Sequence, residues 1–190
     1  MKKFILIILF LILNLQLSVK ADDISSLEIE GMSIGDSLLK YFNIKEINTN
    51  KVKLYNSDRY TTIEIYKNLN TYNYLQISFL TNDDKKKIAS LDGIILYKSN
   101  IEMCYKKIED IYKEIKSIVP NLNDEGKLTY KLNGDKTGKS TITDYVLENN
   151  KEDEIQIACY DYSKNFGNND HLRVGIRLID YRNFLRNEAY

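Results

Sequence analysis

"SNIEMCYKKIEDIYKEIKSIVP", residues 99–120, governs how the rest of the chain is read. Ile101, Cys104, Tyr105, Ile108, Ile111, Tyr112, Ile115, Ile118 and Val119 recur at three- and four-residue steps, the rhythm of one helical face. Lys106, Lys107, Glu109, Asp110, Lys113 and Glu114 fall on the opposite side. Ser99 and Glu102 stand at capping-box spacing, and Pro120 ends the helix. A helix with so wide an apolar stripe needs a surface to cover.

That surface is supplied on both sides of it. Upstream, "RYTTIEIYK" alternates Thr61, Ile63 and Ile65 against Tyr60, Thr62, Glu64 and Tyr66, and "YLQISFLT" sets Leu75, Ile77 and Phe79 on one face. "KIASLDGIILYK" follows, with Gly93 as an expected bulge. The connections "NLNTYN" and "NDDKK" are turn chemistry, and short turns between strands impose antiparallel pairing. Downstream, "KLTYKL", "STITDYVLE", "EIQIACYDYS" and "HLRVGIRLI" read as further strands. "SIGDSLLKYF", beginning at Ser33, predicts a short amphipathic helix through Ile34, Leu38 and Phe42, extended by Ile44 and Ile47. Asp180 is the expected cap of a terminal helix, "YRNFLRNEAY". The order predicts an α+β fold: an antiparallel sheet of about six to seven strands covered by the long helix, with short helices near both ends. The repeated helix-then-meander order suggests a duplication, without residue-level similarity to support it.

The opening "MKKFILIILFLILNLQLSVKADD" has a basic start, an apolar run and a small-residue site at Ala21, the pattern of a secretory signal peptide. Asn14 and Gln16 cut the apolar run short of the roughly 20 residues a spanning helix needs. The expectation is a cleaved signal over 1–21 and a single domain over 22–190, delivered to the periplasm with no membrane insertion afterwards. Losing Lys2, Lys3 and Lys20 takes 27 basic residues to 24 against 27 acidic ones, a net charge near −3. A mildly acidic chain is not the composition of a general nucleic-acid binder. Fifteen tyrosines without tryptophan are a residue bias, not in themselves a binding platform.

"NGDKTGKST" at 133–141 has the look of a phosphate-binding loop, but three residues separate Gly134 from Gly138 where the loop needs four, and a strand pattern follows instead of a helix. Asn133, Asp135, Thr137, Gly138 and Asp144 also fall at positions 1, 3, 5, 6 and 12 of a calcium-loop template. With only two carboxylates among them, such a loop would hold calcium weakly. The simplest reading is a glycine-rich hairpin turn.

No catalytic signature appears. His171, the only histidine, has Asp170 beside it, but neighbours on a strand point to opposite faces, so a surface position at a strand end is expected. Asp83-Asp84 and Glu152 to Glu154 read as solvated turn tips. No paired spacing of His and Cys marks a zinc site, and no cofactor is implied. Cys104 on the helix and Cys159 on the strand face of Ile155 and Ile157 are expected to form a disulfide in an exported chain.

Taken together, "EIEGMSIGDSLL", "GDKTGKS", "NDHLRV" and the closing "NEAY" resemble small exported proteins of Pelagibacter-like marine alphaproteobacteria, a group without assigned activity. The "GMS" opening is also similar to that of small envelope-assembly proteins. The resemblance implies a bacterial, periplasmic setting and supplies no site residues. The function expected is a non-enzymatic binding or envelope-associated module, with a periplasmic protein or small ligand as partner. The alternatives are a hydrolase-type enzyme drawing on Asp135, Asp144, Asp161 and His171, or a weak calcium binder through 133–144.

Overall fold

The computed structural model describes residues 24–97 and 100–190. The expected signal peptide and Ser99, the expected cap of the long helix, lie outside the described residues. Among the described residues the chain is α+β, with one antiparallel sheet of eight strands. These are β1 (Lys51–Val52), β2 (Tyr60–Ile65), β3 (Tyr74–Leu80), β4 (Ile88–Leu96), β5 (Asn123–Lys131), β6 (Thr141–Glu148), β7 (Glu154–Asp161) and β8 (His171–Arg177). The spatial order is β1-β2-β3-β4-β8-β7-β6-β5. Two four-stranded meanders therefore meet at their last strands, β4 and β8. The sequence expectation of six to seven strands falls short by the two-residue edge strand β1, which has too few residues to show alternation.

The long helix α2 (Ile101–Ile118) forms as its periodicity requires and packs on β6, β7 and β8. It buries Cys104, Ile108 and Ile115 against Ile155, Ile157, Cys159, Leu172, Val174 and Ile176. Cys104 and Cys159 form a disulfide, with their Cα atoms 5.9 Å apart. Over the other meander the same core is completed by Ile24, Ile29, Met32, Ile34, Leu38 and Ile47, beneath Ile63, Leu75, Ile77 and Leu91.

The amino-terminal helix is shorter and later than its pattern suggests. Gly35 has φ +82°, which breaks a helix starting at Ser33. Residues Leu38–Lys40 make only a 3₁₀ turn, and helix α1 spans Ile44–Thr49. The true cap is Asn43, whose side chain accepts from Glu46 N while the Glu46 carboxylate accepts from Asn43 N. Gly93 is not a bulge. It stays in register opposite Leu75 and Val174, and a Cβ there would lie 2.5 Å from the Tyr72 ring. The irregularity falls instead between Ser78 and Phe79, where the partners are Ser90 and Ile88.

Helix α3 (Ile179–Asn187) lies on the opposite side of the sheet. Tyr181 and Phe184 pack there with Tyr60 and Ala89, and the Tyr181 hydroxyl meets Ser78 Oγ at 2.9 Å and the Tyr55 hydroxyl at 2.6 Å. Its cap comes from another turn, not from Asp180: Ile179 N donates to Asp153 Oδ1 at 3.0 Å. Glu152 to Glu154 are accordingly not all solvated. Asp153 and Glu154 are buried, because one caps α3 and the other meets two arginines.

A polar sheet face with an open half

Alternation puts most aliphatic side chains of the central strands under α2 and the amino-terminal segment. The same alternation collects charge on the other face. The register aligns Gln76, Asp92, Gly175 and Gln156 in one row across four strands. Tyr74, Ile94, Arg173, Ala158 and Asp144 form the next row, and Leu96, His171 and Tyr160 the one after.

Asp92 is the hub. Its Oδ1 lies 2.8 Å from Arg177 and 3.3 Å from Arg173, and its Oδ2 accepts from Ser90 Oγ at 2.8 Å. Burial alone would raise its pKa, but the charges of Arg177 and Arg173 hold it below the ordinary carboxylate range. Gly175 makes the arrangement possible, since a Cβ there would overlap the Asp92 carboxylate. Arg177 also reaches Glu154 at 2.8 Å and Gln156 Oε1 at 2.9 Å, and Arg173 donates to Gln76 Oε1 at 2.8 Å. Arg182 of α3 completes the network on Glu148 and Glu154. Its Nε stands 2.9 Å from Glu154 Oε2 as an ion pair, without hydrogen-bond geometry. On the far side Gln156 Nε2 and the Tyr130 hydroxyl both donate to Asp144 Oδ2, at 2.7 and 2.8 Å. Buried charges survive only when matched in this way.

Helix α3 covers the Ser78 and Arg177 end of this face, and the end around Tyr74 and Arg173 is left without a helix. A groove of about 500 Å³ lies there, lined by residues that include Tyr66, Tyr74, Tyr162, His171 and Arg173. Tyr66 is 61% exposed and stacks on Tyr74 with ring centroids 5.1 Å apart. His171 stacks on Tyr160 at 4.6 Å and leans on Tyr162 at 5.7 Å. It is not the surface residue its strand-end position suggests, being 7% exposed. Burial and then the nearby Arg173 charge push its pKa down to about 4, so the ring is neutral. Nδ1 lies 3.1 Å from the Asn169 carbonyl, which can only accept, so Nδ1 carries the proton and Nε2 a lone pair. Nε2 is buried without a partner, as is Arg173 Nε.

The remaining sequence candidates scatter. Asp144 shares the polar face with His171, whereas Asp161 sits at the end of β7 on the helix side, where Tyr105 donates to it at 3.3 Å. Asp135 is in the β5–β6 turn, where Gly134 and Gly138 have positive φ. It accepts from Thr137 N, Ser140 N and both their hydroxyls, and these bonds, led by those of the Ser140 and Thr137 side chains, hold its pKa well below the ordinary range. Asn133 lies in the same turn, one residue before Gly134. Among the described residues no three His, Cys, Asp or Glu side chains are grouped to hold a metal, and no helix is long and apolar enough to cross a membrane.

Sequence reasoning missed Asp92, Arg173 and Arg177. Their signal was present in "HLRVGIR": Arg173 and Arg177 share one phase and Leu172, Val174 and Ile176 the other. Arginines on the second face of a central strand need buried acids opposite them, and Asp92 has the matching phase in β4.

No family model, no curated protein and no solved structure matches this chain. The site therefore has to be read from its own chemistry.

Proposed function

We propose that the protein is an exported, periplasmic binding module that engages its ligand or partner through the helix-free half of the polar sheet face, without chemistry of its own. The observation that carries this reading is the groove beside Arg173. It combines a stacked tyrosine pair, of which Tyr66 is exposed and Tyr74 half-buried, with buried polar atoms that the protein leaves unpartnered, the pairing of apolar wall and few placed polar groups typical of binding sites. A hydrolytic role has less support, because Asp135, Asp144, Asp161 and His171 are spread over a turn and two faces.

Capture from envelope extracts of the producing cells tests the reading. Immobilised mature chain should retain a component that Tyr66→Ala and Tyr74→Ala both release, while Met103→Ala, on the exposed side of α2, keeps it. Loss with Met103→Ala alone would move the binding face to the helix side. Mass spectrometry of the same preparation should find the exported chain beginning at Asp22.

A further inference from the structure

We infer that the groove bordered by Tyr66, Tyr74, Tyr162 and His171 is a subsite for a neutral saccharide. The inference deepens the reading of the open face as a binding surface and rests on it.

Charge is the first argument. Among the described residues Arg173 is the one charged side chain lining the groove, and its terminal nitrogens are already engaged by Asp92 and Gln76. Within the network the three arginines 173, 177 and 182 are matched by Asp92, Glu148 and Glu154. A phosphate or carboxylate would need a spare cation or a fork of free N–H groups. Among the described residues the groove offers neither.

The unpartnered atoms are the second. His171 Nε2 is a pure acceptor and Arg173 Nε–H a pure donor, both left without a partner in the protein. The two residues stand two apart on β8 and so point to one face, roughly 7 Å apart along the strand. Neighbouring hydroxyl groups satisfy such a pair, because each hydroxyl both donates and accepts. A peptide amide offers its donor and acceptor in fixed opposite directions, and a carboxylate or fully ionised phosphate group offers no donor.

The aromatic rings are the third. Tyr66 presents an exposed ring backed by Tyr74, and Tyr162 is backed by Phe166 at 5.3 Å and by His171. The electron-rich face of an aromatic ring receives polarised C–H groups, and the apolar face of a pyranose ring is a sheet of such groups. A charged ligand gains little from these surfaces. The two orphan atoms are shut from bulk water in the free protein, so an occupant reaches them by displacing a lining side chain. Tyr162 leans directly on His171, and its neighbour Phe166 belongs to the turn between β7 and β8.

Amide NMR titration of the isotope-labelled, oxidised mature chain provides the test. The probes are maltotriose, mannotriose and tri-N-acetylchitotriose, beside glucose 6-phosphate and tetraglycine. At least one neutral trisaccharide should shift the amides of Tyr74, Asn169, His171 and Arg173 saturably. The ring nitrogen Nε2 of His171 should move from its lone-pair position toward a hydrogen-bonded one. Tyr66→Ala, an exposed change that leaves the fold intact, should weaken binding roughly fivefold, the loss expected of one stacking contact. His171→Phe should weaken it further in a chain that stays folded at pH 7. If no neutral trisaccharide perturbs these amides, or if the phosphorylated sugar binds more tightly, the saccharide assignment is overturned. A response of the same amides to tetraglycine or to the captured envelope component would leave the open face a binding surface for another ligand. Silence of the whole face toward every probe and toward that component would remove the broader reading as well.

Discussion

The two faces of this sheet are built from the same strands and obey opposite rules. Under α2 the side chains are aliphatic, the disulfide joins helix to strand, and order comes from area removed from water. On the other face order comes from paired charges: Asp92 between Arg173 and Arg177, and Glu154 between Arg177 and Arg182. Ion networks of this kind contribute little net stability compared with an apolar core, because desolvation offsets their attraction. Their cost is more easily understood if the face has work to do. Stability belongs mainly to one side and the proposed recognition to the other.

The largest expected effect breaks the polar face. Asp92→Ala leaves Arg173 without a carboxylate and Arg177 with Glu154 as its only carboxylate partner, and it should cost roughly 3–5 kcal/mol in urea unfolding. Gly175→Ala should act in the same direction by displacing the Asp92 carboxylate. On the helix side, Cys104→Ser opens a loop of 55 residues, and the chain-entropy model puts its loss at about 4 kcal/mol. The Cys104→Ser, Cys159→Ser double variant should match the single one. A double variant much less stable than the single would mean that the thiols contribute by packing as well.

The polar face also carries the response to acid. His171 has its folded pKa depressed to about 4 from 6.5, so the folded state disfavours its protonated form. Its contribution is complete above the unfolded value and is lost as pH falls through the window between the two. Going from about pH 7 to pH 5 should therefore destabilise the protein by roughly 2 kcal/mol, and His171→Phe should remove that slope. Asp92, whose folded pKa is lowered by the two arginines, keeps its contribution above the unfolded carboxylate value. It loses that contribution only as pH falls further, through the depressed folded value. The smallest effects concern exposed groups. Tyr66→Ala should change stability by no more than about 0.5 kcal/mol, although it sits at the centre of the proposed site. Calcium should leave the melting temperature unchanged, because Asp135 already accepts from its own turn and Asp144 from Tyr130 and Gln156. A calcium-dependent rise that Asp135→Ala abolishes would reinstate the metal-loop reading.

The helix side was legible in the sequence because aliphatic periodicity is a local signal. The stripe of α2, the alternation of β7 and the meeting of Cys104 with Cys159 all follow from spacing. What local patterns could not settle were contacts made across long separations. The Asn43 capping box outcompeted the Ser33 start because Gly35 turns the chain to the left-handed region. Asp153 caps a helix 26 residues away. The polar face was illegible for a related reason. A charged residue alternating with aliphatics reads as solvated unless its partner is known, and Asp92 lies 85 residues from Arg177. His171 became a buried, neutral acceptor only when Tyr160 and Arg173 closed around it.

The division between the faces can be tested in the cell envelope with a photoreactive side chain placed at one position at a time. Tyr66 and Tyr74 carry it on the open half of the polar face, and Met103, which is 56% exposed, carries it on α2. Irradiation should yield discrete adducts from positions 66 and 74 and none from 103. Adducts formed from 103, with positions 66 and 74 remaining unmodified, would contradict the assignment of recognition to the polar face.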